Sequence, residues 1–103
     1  KAVAHVTGGG ISENLNRVLP KNIGAEINTK KLDIKKKNSI FNWLLNSCKL
    51  DLKEMLRTFN CGIGLIIIIN KKDLEKTLAV CKKIKQPVLM LGKVKNENNI
   101  SFY

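Results

Sequence analysis

A chain of 103 residues with 19 Lys and Arg against 8 Asp and Glu, a formal charge of +11, has room for one hydrophobic core and not two. No apolar run approaches the roughly 18 residues of a membrane span, Leu65–Ile69 being the longest, and no signal-peptide pattern is present, so a soluble protein is expected. Three cysteines without a CxxC pair and one histidine argue against a disulfide framework or a zinc site, so no metal is expected from this chain alone and a reducing cytoplasm fits.

The first element is a short apolar strand, Ala2–Val6, followed by Gly8, Gly9 and Gly10 and then by Ile11, Leu15, Val18 and Leu19 at helical spacing. A strand, a glycine turn and a helix in this order suit an anion, because glycine backbone approaches a ligand closely and the first helical amides point into the turn. A tight connection is the alternative. Lys1 lies inside the strand with no initiator Met before it, so the chain is expected to be a piece of something longer.

Pro20–Gly24 break the helix and Ala25–Ile27 read as a second strand. The dense basic run Lys30, Lys31, Lys35, Lys36 and Lys37 is interrupted by Leu32, Asp33 and Ile34, lacks aromatic residues for base stacking, and reads as a solvated loop. Only Arg17 and Arg57 among the basic residues are arginine; a Lys-, Asn- and Ile-rich composition reflects AT-rich codons, and no nucleic-acid partner is expected. A stand-alone polyanion-binding domain is the competing reading of the charge.

Ile40, Trp43 and Leu44 predict one helix and Leu52, Met55, Leu56 and Phe59 another, both with core-facing stripes, the second opened by Asp51 and Glu54 as a capping box. The aliphatic run Leu65–Ile69 reads as a strand covered on both faces, hence the central strand. A helix over Lys71–Ile84 with Leu74, Leu78 and Cys81 on one face, a strand over Val88–Val94 and an edge strand Ile100–Tyr103 complete the chain. The alternation supports one α/β-type layered domain around a mixed sheet.

Two segments together are specific. Ala4, His5, Val6, Thr7, Gly8, Gly9, Gly10 and Ile11, then Glu13, Asn14, Arg17, Val18, Leu19 and Pro20, resemble the AHxTGGG…EN…RVLP signature of the phosphoribosylformylglycinamidine cyclo-ligases, also called aminoimidazole ribonucleotide synthetases. Met55–Gly64 resembles their MxRTFNxGxG, Phe41 and Trp43 their FxWL element, and Gly92–Val94 their closing strand. The resemblance implies the C-terminal domain, residues 1–103, of the α+β class: a mixed β-sheet packed with helices and partially similar to the ferredoxin-like arrangement. It also implies a homodimeric, cytoplasmic enzyme of purine biosynthesis in which ATP and magnesium, bound mainly by an N-terminal domain absent here, drive closure of formylglycinamidine ribonucleotide to aminoimidazole ribonucleotide. No cofactor is then expected for this chain alone, no membrane partner, and no activity of its own. Related synthetases and kinases of the same architecture are the alternative within the resemblance.

In that chemistry the formyl oxygen is phosphorylated, an amine attacks the carbon and phosphate leaves, so anion recognition matters more than a protein nucleophile. The implied catalytic candidates are His5 and Asn60. His5 reads equally as a general acid or base and as a core imidazole. Thr7, Gly8, Gly9, Gly10, Asn14, Arg57 and Thr58 are the substrate- and phosphate-binding candidates. Against these stand local roles: Arg57 and Asn60 as helix C-caps, Thr7 and Thr58 as turn caps, Glu13 as a complement to the helix dipole. Cys61 is given no chemistry, and Ser12 stands where an aliphatic residue is common in the family.

Overall fold

The computed structural model describes residues 1–103. In chain order it contains β1 (Ala2–His5), α1 (Gly10–Val18), β2 (Gly24–Ile27), two 3-10 turns (Thr29–Lys31 and Asp33–Lys35), α2 (Ile40–Ser47), α3 (Leu52–Thr58), β3 (Leu65–Ile68), a 3-10 turn (Lys71–Asp73) leading into α4 (Leu74–Lys83), β4 (Gly92–Lys95) and β5 (Ile100–Phe102). This is the expected α+β chain with its elements in the expected order. No helix is long and apolar enough to cross a membrane.

The strands divide into two sheets. β1 pairs antiparallel with β3, Val3 opposite Ile67 and His5 opposite Leu65. The mixed sheet has the order β4-β2-β5, with β4 antiparallel and β5 parallel to β2. The central strand is therefore β2 and not the aliphatic run at Leu65, as the sequence had suggested. Continuous hydrophobicity does distinguish buried strands on average, but β3 has only one covered face: Ile66 and Ile68 pack on the core, while Leu65 and Ile67 point outward and are 56% and 49% exposed. The strand expected from Val88 begins only at Gly92, and Val88, Leu89 and Met90 run exposed and irregular before it.

The core is built from Ala4, Val6, Ile11, Leu15, Ala25, Ile27, Leu32, Ile34, Met55, Leu56 and Cys61. Ile11 and Leu15, four residues apart, form the inner stripe of α1. In the lysine-rich segment the charges are solvated as expected, but Leu32 and Ile34 between them are fully buried, so this stretch is a core-pinned pair of 3-10 turns and not a free loop. On α2 the inward stripe is Phe41, Leu44 and Leu45; Ile40 and Trp43, expected in the core, lie on the other side, and Trp43 is 57% exposed. The Phe41 and Phe59 rings, 6.3 Å apart and tilted, join α2 to the end of α3. On α4, of the expected apolar face only Cys81 is buried.

Local capping explains where the helices start. The Ser39 hydroxyl accepts from the Asn42 amide at 3.0 Å at the head of α2, and the Asp51 carboxylate accepts from the Glu54 amide at 2.7 Å at the head of α3, each worth about 1 kcal/mol. The capping box at Asp51 is half made, because the Glu54 carboxylate turns forward to accept from the Thr58 hydroxyl at 3.2 Å.

Candidate functional site

The glycine turn sits between β1 and α1, both anchored in the core by Ala4, Val6, Ile11 and Leu15. Gly9 and Gly10 adopt positive φ, 92° and 65°, which reverses the chain direction between strand and helix. Gly10 is buried against the C-terminal end of α3, where the Leu56 and Arg57 carbonyls leave no room for a side chain. Gly8, by contrast, is exposed and has open space around its Cα. The Gly10 amide donates to the Thr7 carbonyl at 3.3 Å, whereas the amides of Gly8 and Gly9 have no backbone partner.

Asn14 lies behind this turn, 4% exposed. Its Nδ2 donates to the carbonyls of Gly10 (2.7 Å), Gly8 (3.3 Å) and Thr7 (3.4 Å), and its Oδ1 accepts from the Thr7 hydroxyl and Arg17 Nη1, both at 3.4 Å. The Glu13 carboxylate folds back over Gly9 and is paired with the Arg17 guanidinium one turn along the helix. Arg17 thus stands over the turn. It was not among the sequence candidates, although its spacing from Glu13 is that of a helical ion pair.

His5 is exposed on the outer face of β1 opposite Leu65, which removes the core-imidazole reading and leaves the ring open to a ligand. Arg57, in the last turn of α3, is exposed and makes no ion pair. Thr58 gives its hydroxyl to Glu54, as a local cap does. Asn60 Oδ1 accepts from the Gly62 amide at 3.0 Å, and the Ile63 amide closes on the Asn60 carbonyl at 3.0 Å. Cys61 and Gly62 between them both have positive φ, 52° and 90°, so the residue after α3 enters a tight primed turn that Asn60 braces.

The two turns are joined through α3: its carbonyl end meets Gly10, and the Asn60 turn follows within three residues. A second residue missed from sequence supports this assembly. Asp33 packs its carboxylate over Gly62, takes the Cys61 carbonyl with its amide at 3.0 Å, and is paired with Lys36. The only clue was its position between the buried Leu32 and Ile34. Burial, with the Asp33 charge adding to it, pushes the Cys61 thiol up to about 11, so it is neutral and inert at physiological pH.

Two clefts of roughly equal size lie elsewhere. One, about 330 Å³, is at the far end of α1 between Val18, Leu19, Ile23 and Ile68; the other, about 340 Å³, lies between Glu26, Lys31, Met90 and Tyr103. The first is largely apolar, and in the second Lys93 is committed to Glu26 at 2.9 Å while Lys31 makes no ion pair. No three His, Cys, Asp or Glu side chains come together in a way that holds a metal ion.

Residues 1–103 match the family model described as AIR synthase related protein, C-terminal domain. Over 95 residues the chain is 40% identical to the phosphoribosylformylglycinamidine cyclo-ligase of Chromobacterium violaceum, an alignment covering 92% of this chain and 27% of that protein. The chain therefore spans about a quarter of the length of that curated relative.

Proposed function

The chain belongs to the AIR synthase related proteins as their C-terminal domain, and from that membership we propose that it is the substrate-side domain of a phosphoribosylformylglycinamidine cyclo-ligase. The reaction is the ATP-dependent closure of formylglycinamidine ribonucleotide to aminoimidazole ribonucleotide, in the cytoplasm and in a homodimer. The observation that carries the reading is the pair of unpartnered Gly8 and Gly9 amides in an open turn, flanked by Arg17 and backed by the end of α3.

Each residue then has a defined task. The Gly8 and Gly9 amides hold an anionic oxygen of the ribonucleotide, the start of α1 adding its positive dipole end, while the Thr7 hydroxyl is given to Asn14. Arg57, free of any carboxylate, supplies a second cation on the neighbouring turn. His5, exposed two residues before Thr7, holds or passes a proton at the ring-closing nitrogen. Asn60 keeps the second turn in shape through Gly62, and Thr58 finishes α3 through Glu54.

ATP supplies the phosphoryl group that turns the formyl oxygen into a leaving group, and magnesium accompanies it. On the resemblance to the cyclo-ligases, both are assigned chiefly to a domain outside these 103 residues. Steady-state assay of the full-length protein with formylglycinamidine ribonucleotide and ATP, with this chain alone beside it, tests the proposal. Turnover by the longer protein only is the expected result; a folded longer protein without turnover moves the function to another ATP-dependent reaction of the same fold.

A further inference from the structure

The turn that faces the proposed substrate is organised by a side chain that does not face it. A peptide turn presents carbonyls as well as amides, and an anion is attracted by the second and repelled by the first. Asn14, buried beneath the turn, draws the carbonyls of Thr7, Gly8 and Gly10 to the inside through one amide group, with the Gly10 bond the shortest at 2.7 Å. The Gly8 and Gly9 amides are the groups left without partners. The same side chain, through Oδ1, accepts the Thr7 hydroxyl proton and an Arg17 Nη1 proton and so ties both residues to the turn.

We infer that Asn14 is the positioning residue of this turn, making it selective for a phosphate-bearing substrate by fixing the Gly8 carbonyl, together with the backbone-bonded Thr7 and Gly10 carbonyls, on the side away from the ligand and by tethering Thr7 and Arg17 at the turn's edge. The inference rests on the proposed cyclo-ligase reading and changes the expected role of Asn14 from a direct substrate contact to an indirect one. Its chemistry is specific. The amide donates to carbonyls on one side and accepts from a hydroxyl and a guanidinium on the other. A carboxylate of the same shape keeps the accepting side and opposes three carbonyl oxygens on the other.

The test is Asn14→Asp in the full-length protein, with separate KM values for formylglycinamidine ribonucleotide and ATP. The expected result is a KM for the ribonucleotide raised about tenfold or more near pH 8, with the KM for ATP unchanged. Lowering the pH protonates the new carboxyl, which then donates to the Gly10 carbonyl, so the KM of the variant falls back toward that of the wild type; Glu13 and Arg17 on α1, His5 on β1 and Arg57 at the end of α3 are the charged and titratable groups around the turn and are common to both proteins. A variant with wild-type KM, or one whose two KM values change together, overturns the inference while leaving the reaction assignment standing. Absence of turnover by the wild type overturns the assignment on which it rests.

Should Asn14→Asp fail to fold, the full-length wild-type protein answers by amide NMR with ribose 5-phosphate as the probe. The Gly8 and Gly9 backbone resonances are expected to shift most and the Asn14 side-chain NH2 little. Largest shifts at the Asn14 NH2, or none at Gly8 and Gly9, overturn the indirect role.

Discussion

Gly10 rests on the carbonyl oxygen of Leu56, so close that a Cβ on Gly10 would overlap it and come within 3.1 Å of the Arg57 carbonyl group. The contact joins the start of α1 to the end of α3 and so brings the two glycine-containing turns of the chain into one assembly. With φ of 65° at Gly10, a side chain there is opposed by the backbone as well as by the neighbour. Gly10→Ala is expected to cost about 2 kcal/mol or more, read as a lower urea midpoint at constant m-value.

Gly8→Ala separates binding from folding. A Cβ at Gly8 meets nothing within 4 Å and its φ is not positive, so stability should change by no more than about 1 kcal/mol, with Ala the more favoured through the unfolded chain. A methyl group beside the free amides nevertheless obstructs a ligand's approach. Full-length protein with this substitution should keep its melting temperature and show a raised KM for the ribonucleotide.

Asn60 was a catalytic candidate, and its bond to the Gly62 amide assigns it at least a structural task. Asn60→Ala should lose about 1 kcal/mol by analogy with other side-chain caps of backbone amides. Asn60→Asp retains the accepting oxygen and should remain within about 0.5 kcal/mol of wild type by denaturant unfolding. Turnover of the Asp variant then reports on the chemistry alone: if it falls at unchanged stability, the NH2 group also meets the substrate.

Cys61 makes stability depend on alkaline pH. Its thiol is raised from 9.0 to about 11, first by burial and then by Asp33. A raised folded value means that its contribution is fully present below pH 9.0 and is lost as the pH rises from there through about 11. The loss amounts to about 2–3 kcal/mol. Urea unfolding of wild type and Cys61→Ala between pH 8 and 11 isolates it, since the lysines titrate alike in both. Iodoacetamide at pH 8 should modify the exposed Cys48 and spare Cys61 until the chain unfolds.

Much of this fold follows from local rules. The inner stripe of α1, the Asp51 cap of α3 and the break at Pro20 are short-range patterns, and each element appears where its pattern lies. The glycine turn was equally legible, because three successive glycines between a strand and a helix have few other uses. By contrast the sequence suggested a covered central strand at Leu65–Ile69, and the structure bares one face of it. Hydrophobicity registers what a residue prefers and carries no information on which neighbour is present to satisfy it. Trp43 and Ile40 were misplaced for a related reason: with apolar residues on several sides of α2, the helical period alone does not select the inward stripe.

The sequence by itself determined the order of the elements, the glycine turn and the family, since all three depend on residues close together in the chain. Tertiary structure alone decided that β2 is the central strand, that Asp33 braces the Asn60 turn, and that Asn14 faces the turn's carbonyls and not the solvent. These are relations between segments, or between a side chain and the backbone folded over it. Their free energy exists only once packing has excluded water and left each polar group with a protein partner.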